Sequence, residues 1–332
     1  MISEHSFLMI GKQGSGKTSF LAAAYGIMSR GINGFKLKAA NSNDSLQLDR
    51  MFSDLRNGEY PMATNKRITY GFDLTYTGRT SYLKNTFGGI IDFSNVLNNI
   101  FDRVLREIVD YPIAHFKWKD FYGGIMATKN IDEAASLKNE MKNSSGLMVF
   151  FDASELMQSK LAYDVHKTIK LISQNINGIE SRFLLNIIVT KCDLVSSKDS
   201  FKYITEALTP ILNIAKYNPH IVLCVNKVSC SQYGFVNIES PVLQLADYVL
   251  DLEIDNNKKQ RDEENRLAKS AENEAGIFDD ITSFLFSETS WRDYAATHRE
   301  NEAEFSLTIS FLENLKSKLT EYISKIPNGI YA

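Results

Sequence analysis

The chain has 332 residues, 44% hydrophobic and 23% charged, a length and mixture that exclude a disordered or low-complexity polymer and leave room for one large or two ordinary domains. Forty acidic against thirty-seven basic side chains give a formal charge of −3, so no global positive field draws in nucleic acid or an anionic membrane surface. The longest apolar runs, 146–151 and 183–189, fall far short of the ~20 residues that cross a bilayer, and MISEHSFLMIG has neither a basic start nor a small-residue cleavage site. The expectation is a cytoplasmic protein with no membrane span. Cys192, Cys224 and Cys230 are odd in number and lack C-x-x-C spacing, which fits a reducing compartment and argues against a metal site made with His220.

Apolar runs of strand length alternate with helical periods, the pattern of an α/β fold with a mostly parallel sheet covered by helices. In chain order the spacing predicts a strand over 6–10, helices over 17–30 and 44–56, and a strand over 67–76. A helical insertion follows over 79–111, where Phe93, Leu97, Ile100, Phe101, Val104, Leu105 and Ile108 share one face. Strands over 113–118 and 147–151 come next, then a helix over 159–175 and strands over 184–190 and 221–226, six strands in all. Ser240-Pro241 reads as a cap and first helical position, opening a helix through Val249. Beyond Glu253 the run NNKKQRDEENRLAKSAENEA has no apolar stripe and reads as a solvated helix or disordered linker. Leu312, Leu315, Leu319, Ile323 and Ile326 then mark a final amphipathic helix.

The strongest motif is Gly11-Lys12-Gln13-Gly14-Ser15-Gly16-Lys17-Thr18, a G-x-x-x-x-G-K-T run between a strand and a helix. Its glycines let successive backbone N–H groups turn inward on phosphate oxygens, and the helix N-terminus adds its positive dipole. Lys17 supplies a full charge to the β and γ phosphates, Thr18 a hydroxyl to Mg²⁺, and Ser19 follows at the helix start. Asp120-Phe121-Tyr122-Gly123 ends the strand over 113–118; its carboxylate can reach Mg²⁺ through water, and its glycine N–H can contact the γ-phosphate.

Thr190-Lys191-Cys192-Asp193 lies at the C-terminal end of a strand, where ligands bind in open α/β sheets. A carboxylate at Asp193 accepts from N1–H and the exocyclic amine of guanine but meets a mismatched edge on adenine, while the Lys191 stem can lie along the ring. Asn226-Lys227-Val228-Ser229 lacks the carboxylate and reads as the next strand. It leads into Ser229-Cys230-Ser231, whose backbone can donate to guanine O6.

Phosphate loop, D-x-x-G, T-K-x-D and S-C-S turn, in that order over residues 11–231, resemble the translation-factor-related class of P-loop GTPases. The stretch Gly58 to Thr64, a G-x-x-P-x-x-T before a strand, resembles the bacterial double-GTPase families of conflict and phage-defence operons. Dynamin-like GTPases are more distantly similar and also carry Gln at the position of Gln13. The resemblance implies a GTPase domain over residues 1–254 and a charged helical extension over 255–332. It implies GTP and GDP as substrate and product, Mg²⁺, a slow hydrolytic switch, and a protein partner in the same system. Two departures matter. The position after D-x-x-G, where Ras-like members place a water-orienting Gln, is Gly124, and the dynamin-like loops suggest Gln13 for that role. The switch threonine is assigned by position to Thr64, with Thr18 and Asp120 at the metal. The alternative is a GTP-binding scaffold with little turnover that docks a partner.

Overall fold

The computed structural model describes residues 3–62, 67–79, 108–121, 131–158, 163–195, 200–231, 233–286, 291–326 and 329–331. Its centre is an eight-stranded sheet ordered β10-β7-β6-β5-β1-β4-β3-β2. The strands are β1 Glu4–Gly11, β2 Phe35–Ala39, β3 Ile68–Arg79, β4 Ile108–Asp120, β5 Gly146–Asp152, β6 Phe183–Thr190, β7 Ile221–Lys227 and β10 Gly329–Tyr331. A separate two-stranded hairpin pairs β8 Ser229–Ser231 with β9 Gly234–Val236. The pairs β1·β4, β1·β5, β5·β6 and β6·β7 are parallel, whereas β2·β3 and β10·β7 close the edges antiparallel. The expected α/β class and mostly parallel sheet are therefore present, with edge strands added to the six expected.

Helices α1 Lys17–Met28, α2 Ser42–Arg56, α3 Ile131–Lys142, α4 Ala153–Leu156, α5 Tyr163–Ile176 and α6 Ser200–Tyr217 follow in chain order, then α7 Glu239–Phe286 and α8 Trp291–Lys325. The central strands carry near-continuous apolar runs because both faces are covered. Leu8 and Ile10 join Leu147, Val149, Ile187 and Val189 in a core closed by Val165, Ile169 and Ile172 of α5 and Leu208 and Ile211 of α6. On the other face Phe7 meets Phe116 and Tyr248 edge-on, at 5.9 and 6.4 Å between ring centres.

Several boundaries move for identifiable reasons. Helix α2 starts at Ser42 rather than Asp44, because the Asn41 side chain accepts the Asp44 N–H at 2.8 Å and caps it. Helix α1 stops at Met28, two residues early, as the chain turns through Gly31 at φ 87°. The segment 79–111 is not wholly helical: β3 runs to Arg79 and β4 begins at Ile108, so Ile108 and Tyr111 lie on a strand. The remaining residues assigned there, including Phe93, Leu97 and Phe101, lie outside the described residues. Ser240 does not cap its helix: α7 begins at Glu239, and the Ser240 hydroxyl donates instead to Asn226 Oδ1 at 2.8 Å. Nor does α7 stop at Val249, since the charged run continues it to Phe286.

The chain divides into two compact units. The first is Met1–Gly78, Asp110–Tyr248 and Glu321–Ala332; the second is Arg79–Val109 and Val249–Thr320. Within the second, α7 and α8 run antiparallel, since Lys258 pairs with Glu313 at 2.8 Å while Glu272 pairs with Arg299 at 2.9 Å. Ala268, Ala271, Ala295, Leu312 and Leu315 are buried there, small residues letting the helices approach and leucines filling the seam.

Candidate functional site

Because β1, β4, β5 and β6 are parallel, the segments leaving their C-terminal ends gather along one sheet edge. Register fixes the neighbours: Met9 is opposite Asp120, Gly11 opposite Phe150, and Asp152 opposite Thr190. The phosphate loop leaves β1 at Gly11, where a Cβ would stand 2.7 Å from the Phe150 carbonyl oxygen, so no side chain fits without moving backbone. Gly14 at φ 79° and Gly16 at φ 82° turn the loop through the left-handed region, and α1 begins at the next residue.

Lys17 is buried, and its Nζ donates to the carbonyls of Gly11 at 2.8 Å and Lys12 at 3.2 Å. Burial lowers the pKa of its ammonium, and the nearby Asp120 carboxylate opposes that shift. Asp120 itself is 1% exposed at the end of β4. Thr18 and Ser19, in the first turn of the helix, are half-buried.

The T-K-x-D segment divides its labour. The Thr190 hydroxyl shares its one proton between the carbonyls of Ser15, at 2.9 Å, and Phe151, at 3.1 Å, so it ties the phosphate loop to β5 and β6. Lys191 takes a left-handed backbone, φ 56°, and its Nζ lies 2.7 Å from Asp152 Oδ2. Burial pushes the Asp152 carboxyl up, but the Lys191 ammonium and the Ser154 donors outweigh it, and the net shift is downward. Asp193, in a single 3-10 turn over Cys192–Leu194, accepts from the Ser229 hydroxyl at 2.5 Å. Burial first and Asp193 second push the Cys230 thiol up to about 12, and burial pushes Cys192 up to about 11, so neither is a thiolate near neutrality. The lookalike residue Asn226 is fully buried; its amide donates to Asn186 Oδ1 at 3.0 Å and Gln244 Oε1 at 2.6 Å. That binds β6 and β7 to the start of α7 and leaves the amide no role at a ligand.

A cavity of about 450 Å³ joins the two motifs. Gln13, Gly14, Gly16, Lys17, Thr18 and Ser19 form one wall, and Thr190, Lys191, Asp193 and Cys230 form another. Gly11, Ser15, Asp120 and Ser229 are not in the wall but support it. Thr64, Gly123 and Gly124 lie outside the described residues. Sequence reasoning missed Tyr60, Pro61 and Leu194, which complete the lining. Tyr60 and Leu194, 59% and 67% exposed, are large apolar side chains left open in the cavity lining. Pro61 is the proline of the G-x-x-P-x-x-T stretch with Tyr60 before it, and Leu194 directly follows T-K-x-D; neither position carries a chemical signal of its own. Among the described residues no three His, Cys, Asp or Glu side chains gather as a metal cluster, and no helix is long and apolar enough to cross a membrane.

The phosphate loop after the central strand, the neighbouring β4 and β5, and the ligand-facing edge define the fold of a P-loop nucleoside-triphosphate-binding domain, of the G-domain kind. Neither a known protein family nor a curated protein matches the chain. Among solved structures it is similar to the GTP-bound Ski7 GTPase-like domain of S. cerevisiae, with 12% identity and a TM-score of 0.36 over 68% of this chain and 43% of that one. The same domain bound to GDP and inorganic phosphate gives 14% identity and a TM-score of 0.34, again over 68% and 43%. Less than half of either neighbour is matched, and what the cavity can hold follows from its own residues.

Proposed function

We propose that the chain binds GTP and hydrolyses it to GDP and phosphate as a molecular switch. One observation carries the reading: the phosphate loop with Lys17 and the T-K-x-D turn with Asp193 line a single cavity of about 450 Å³, roomy enough for a nucleotide. The polyphosphate lies on the inward N–H groups of the loop and the start of α1, with Lys17 as its charge partner. The base lies at Asp193, whose carboxylate accepts from N1–H and the exocyclic amine; Ser229 holds it from behind. Guanine is selected because adenine turns its N1 acceptor toward the Asp193 carboxylate, acceptor against acceptor, and offers no N–H there.

The donor set fits Mg²⁺. Thr18 offers a hydroxyl in the cavity wall and Asp120 a buried carboxylate beside Lys17, both hard oxygen donors of the kind that share this ion with phosphate and water. Thr64 is the proposed third contact. The ion, when bound, neutralises charge on the phosphates. Lys17 stabilises charge on the transferring phosphoryl group, and Gln13, exposed beside Gly14 in the wall, donates to one oxygen while accepting from the attacking water.

The resemblance to double-GTPase families suggests a conflict or defence system and a partner protein that reads the nucleotide state. Gly124, in place of a water-orienting residue, favours a second reading, a GTP-binding scaffold with little turnover. Single-turnover hydrolysis at saturating protein separates the two. The switch predicts phosphate release by the isolated chain, lowered about ten-fold or more in Gln13→Ala with GTP affinity unchanged. Release no faster than buffer makes the chain a scaffold, and equal rates in wild type and variant remove Gln13 from the reaction.

A further inference from the structure

Helix α4, only four residues long, carries at its cap and in its first turn two carboxylates that pair with lysines of the two motifs lining the cavity. At its cap, Asp152 accepts the Ser154 N–H at 2.9 Å and the Ser154 hydroxyl at 2.6 Å on Oδ1, leaving Oδ2 for Lys191 Nζ at 2.7 Å. One turn on, Glu155 Oε1 accepts from Lys12 Nζ at 2.6 Å, inside the phosphate loop. Of these four residues only Lys191 is fixed by a motif: Lys12 is a free position of G-x-x-x-x-G-K-T, and Asp152 and Glu155 belong to no motif at all.

The side-chain environments are unequal. The Asp152 side chain is 9% exposed, whereas Lys191 is 40% exposed, so a largely buried anion holds a partly exposed cation. A lysine stem that must lie along a base loses rotamer freedom when the ligand arrives, and a pre-formed ion pair removes part of that cost beforehand. The left-handed Lys191 backbone already points the chain into the 3-10 turn of Asp193, and the Asp152 contact fixes the side chain that the backbone leaves free. Lys12, at 32%, and Glu155, at 23%, make the corresponding pair at the phosphate end.

We infer that Asp152 and Glu155 are positioning residues, holding Lys191 against the base and Lys12 in the phosphate loop from one short helix, so that the two halves of the cavity are pre-set for a guanine nucleotide. This rests on the GTP-binding reading above and adds to it which residues set the affinity. Neither carboxylate touches the ligand. Asp152 therefore affects GTP and GDP equally, because both carry the same base, whereas the influence of Glu155 requires phosphates and is absent with guanosine.

The test is a double-mutant cycle on fluorescent-nucleotide affinity with Asp152→Asn, Lys191→Met and the double variant. Asn is as good a helix cap as Asp, so the fold and the Ser154 contacts are kept while the anion is lost. Asp152→Asn is expected to weaken GTP and GDP by the same factor, roughly five-fold, and to have no further effect once Lys191 is Met. Lys191→Met reads the same contact from the other side and should cost at least as much, with the melting temperature of each variant near that of wild type. Glu155→Gln is expected to weaken GDP but leave guanosine unchanged. Unaltered affinity in Asp152→Asn, or losses that add in the double variant, overturns the positioning role while leaving GTP binding intact. A wild-type protein that binds no guanine nucleotide overturns both.

Discussion

Thr190 lines the cavity, yet its hydroxyl is directed at the backbone rather than into the cavity. Its hydroxyl is spent on the carbonyls of Ser15 and Phe151, and its methyl lies 3.3 Å from where a Gly16 Cβ would be, so it braces the loop on the strand beside it. Thr190→Val keeps shape but removes the one proton shared between the Ser15 and Phe151 carbonyls; a stability loss of about 1–3 kcal/mol is expected from urea titration, and Thr190→Ser should recover most of it. Equal midpoints for wild type and Thr190→Val would show the clasp to be idle. At this scale the motifs were legible because their chemistry is local: four fixed residue types at fixed spacing dictate a loop that can wrap phosphate. What was not legible came from pairing across the chain. The Asp152–Lys191 contact joins residues 39 apart in sequence, and Tyr60 reaches the cavity only because the chain after α2 is brought there.

Elements were read well where one physical signal dominated and poorly where two competed. The parallel strands stood out as apolar runs because both faces are buried, and even Asn186, which interrupts β6, is explained by its buried amide network with Asn226 and Pro241. Helix α6 escaped notice although Ile204, Leu208, Ile211 and Ala215 form a buried stripe, because Pro210 inside it reads as punctuation. Strand β2 escaped because Lys36 and Lys38 break its apolar character; they are there to meet Asp110 on β4, at 3.5 and 2.5 Å. Lys38 first and Thr77 second hold the Asp110 carboxyl down at about 2, against an ordinary 3.8. A depressed folded-state pKa gives stability that is complete above the unfolded value and lost as pH falls through the folded one. The stability gap between wild type and Asp110→Asn, measured by urea titration, should therefore be constant near neutrality and narrow between about pH 4 and pH 2. A gap independent of pH would show that Asp110 acts by shape and not by charge.

For the molecule as a whole, the charged run beyond Glu253 was ambiguous in sequence because a polar helix without a stripe looks like a linker. It is held as part of α7 by pairs such as Lys258–Glu313 and Arg299–Glu272, supplied by a helix some thirty to sixty residues away. The chain then returns to the first unit, where Gly329–Tyr331 pairs antiparallel with β7 and covers an otherwise open sheet edge. Within the first unit, the cavity is proposed to read guanine through Asp193. Competition binding to wild type and Asp193→Asn, with GTP, ATP and xanthosine triphosphate as competitors, tests it most directly. Wild type should prefer GTP over ATP, and the variant should lose GTP by roughly a hundred-fold or more while gaining xanthosine triphosphate, whose O2 acceptor complements the new amide. GTP affinity unchanged by Asp193→Asn, or ATP competing as well as GTP in wild type, would contradict it.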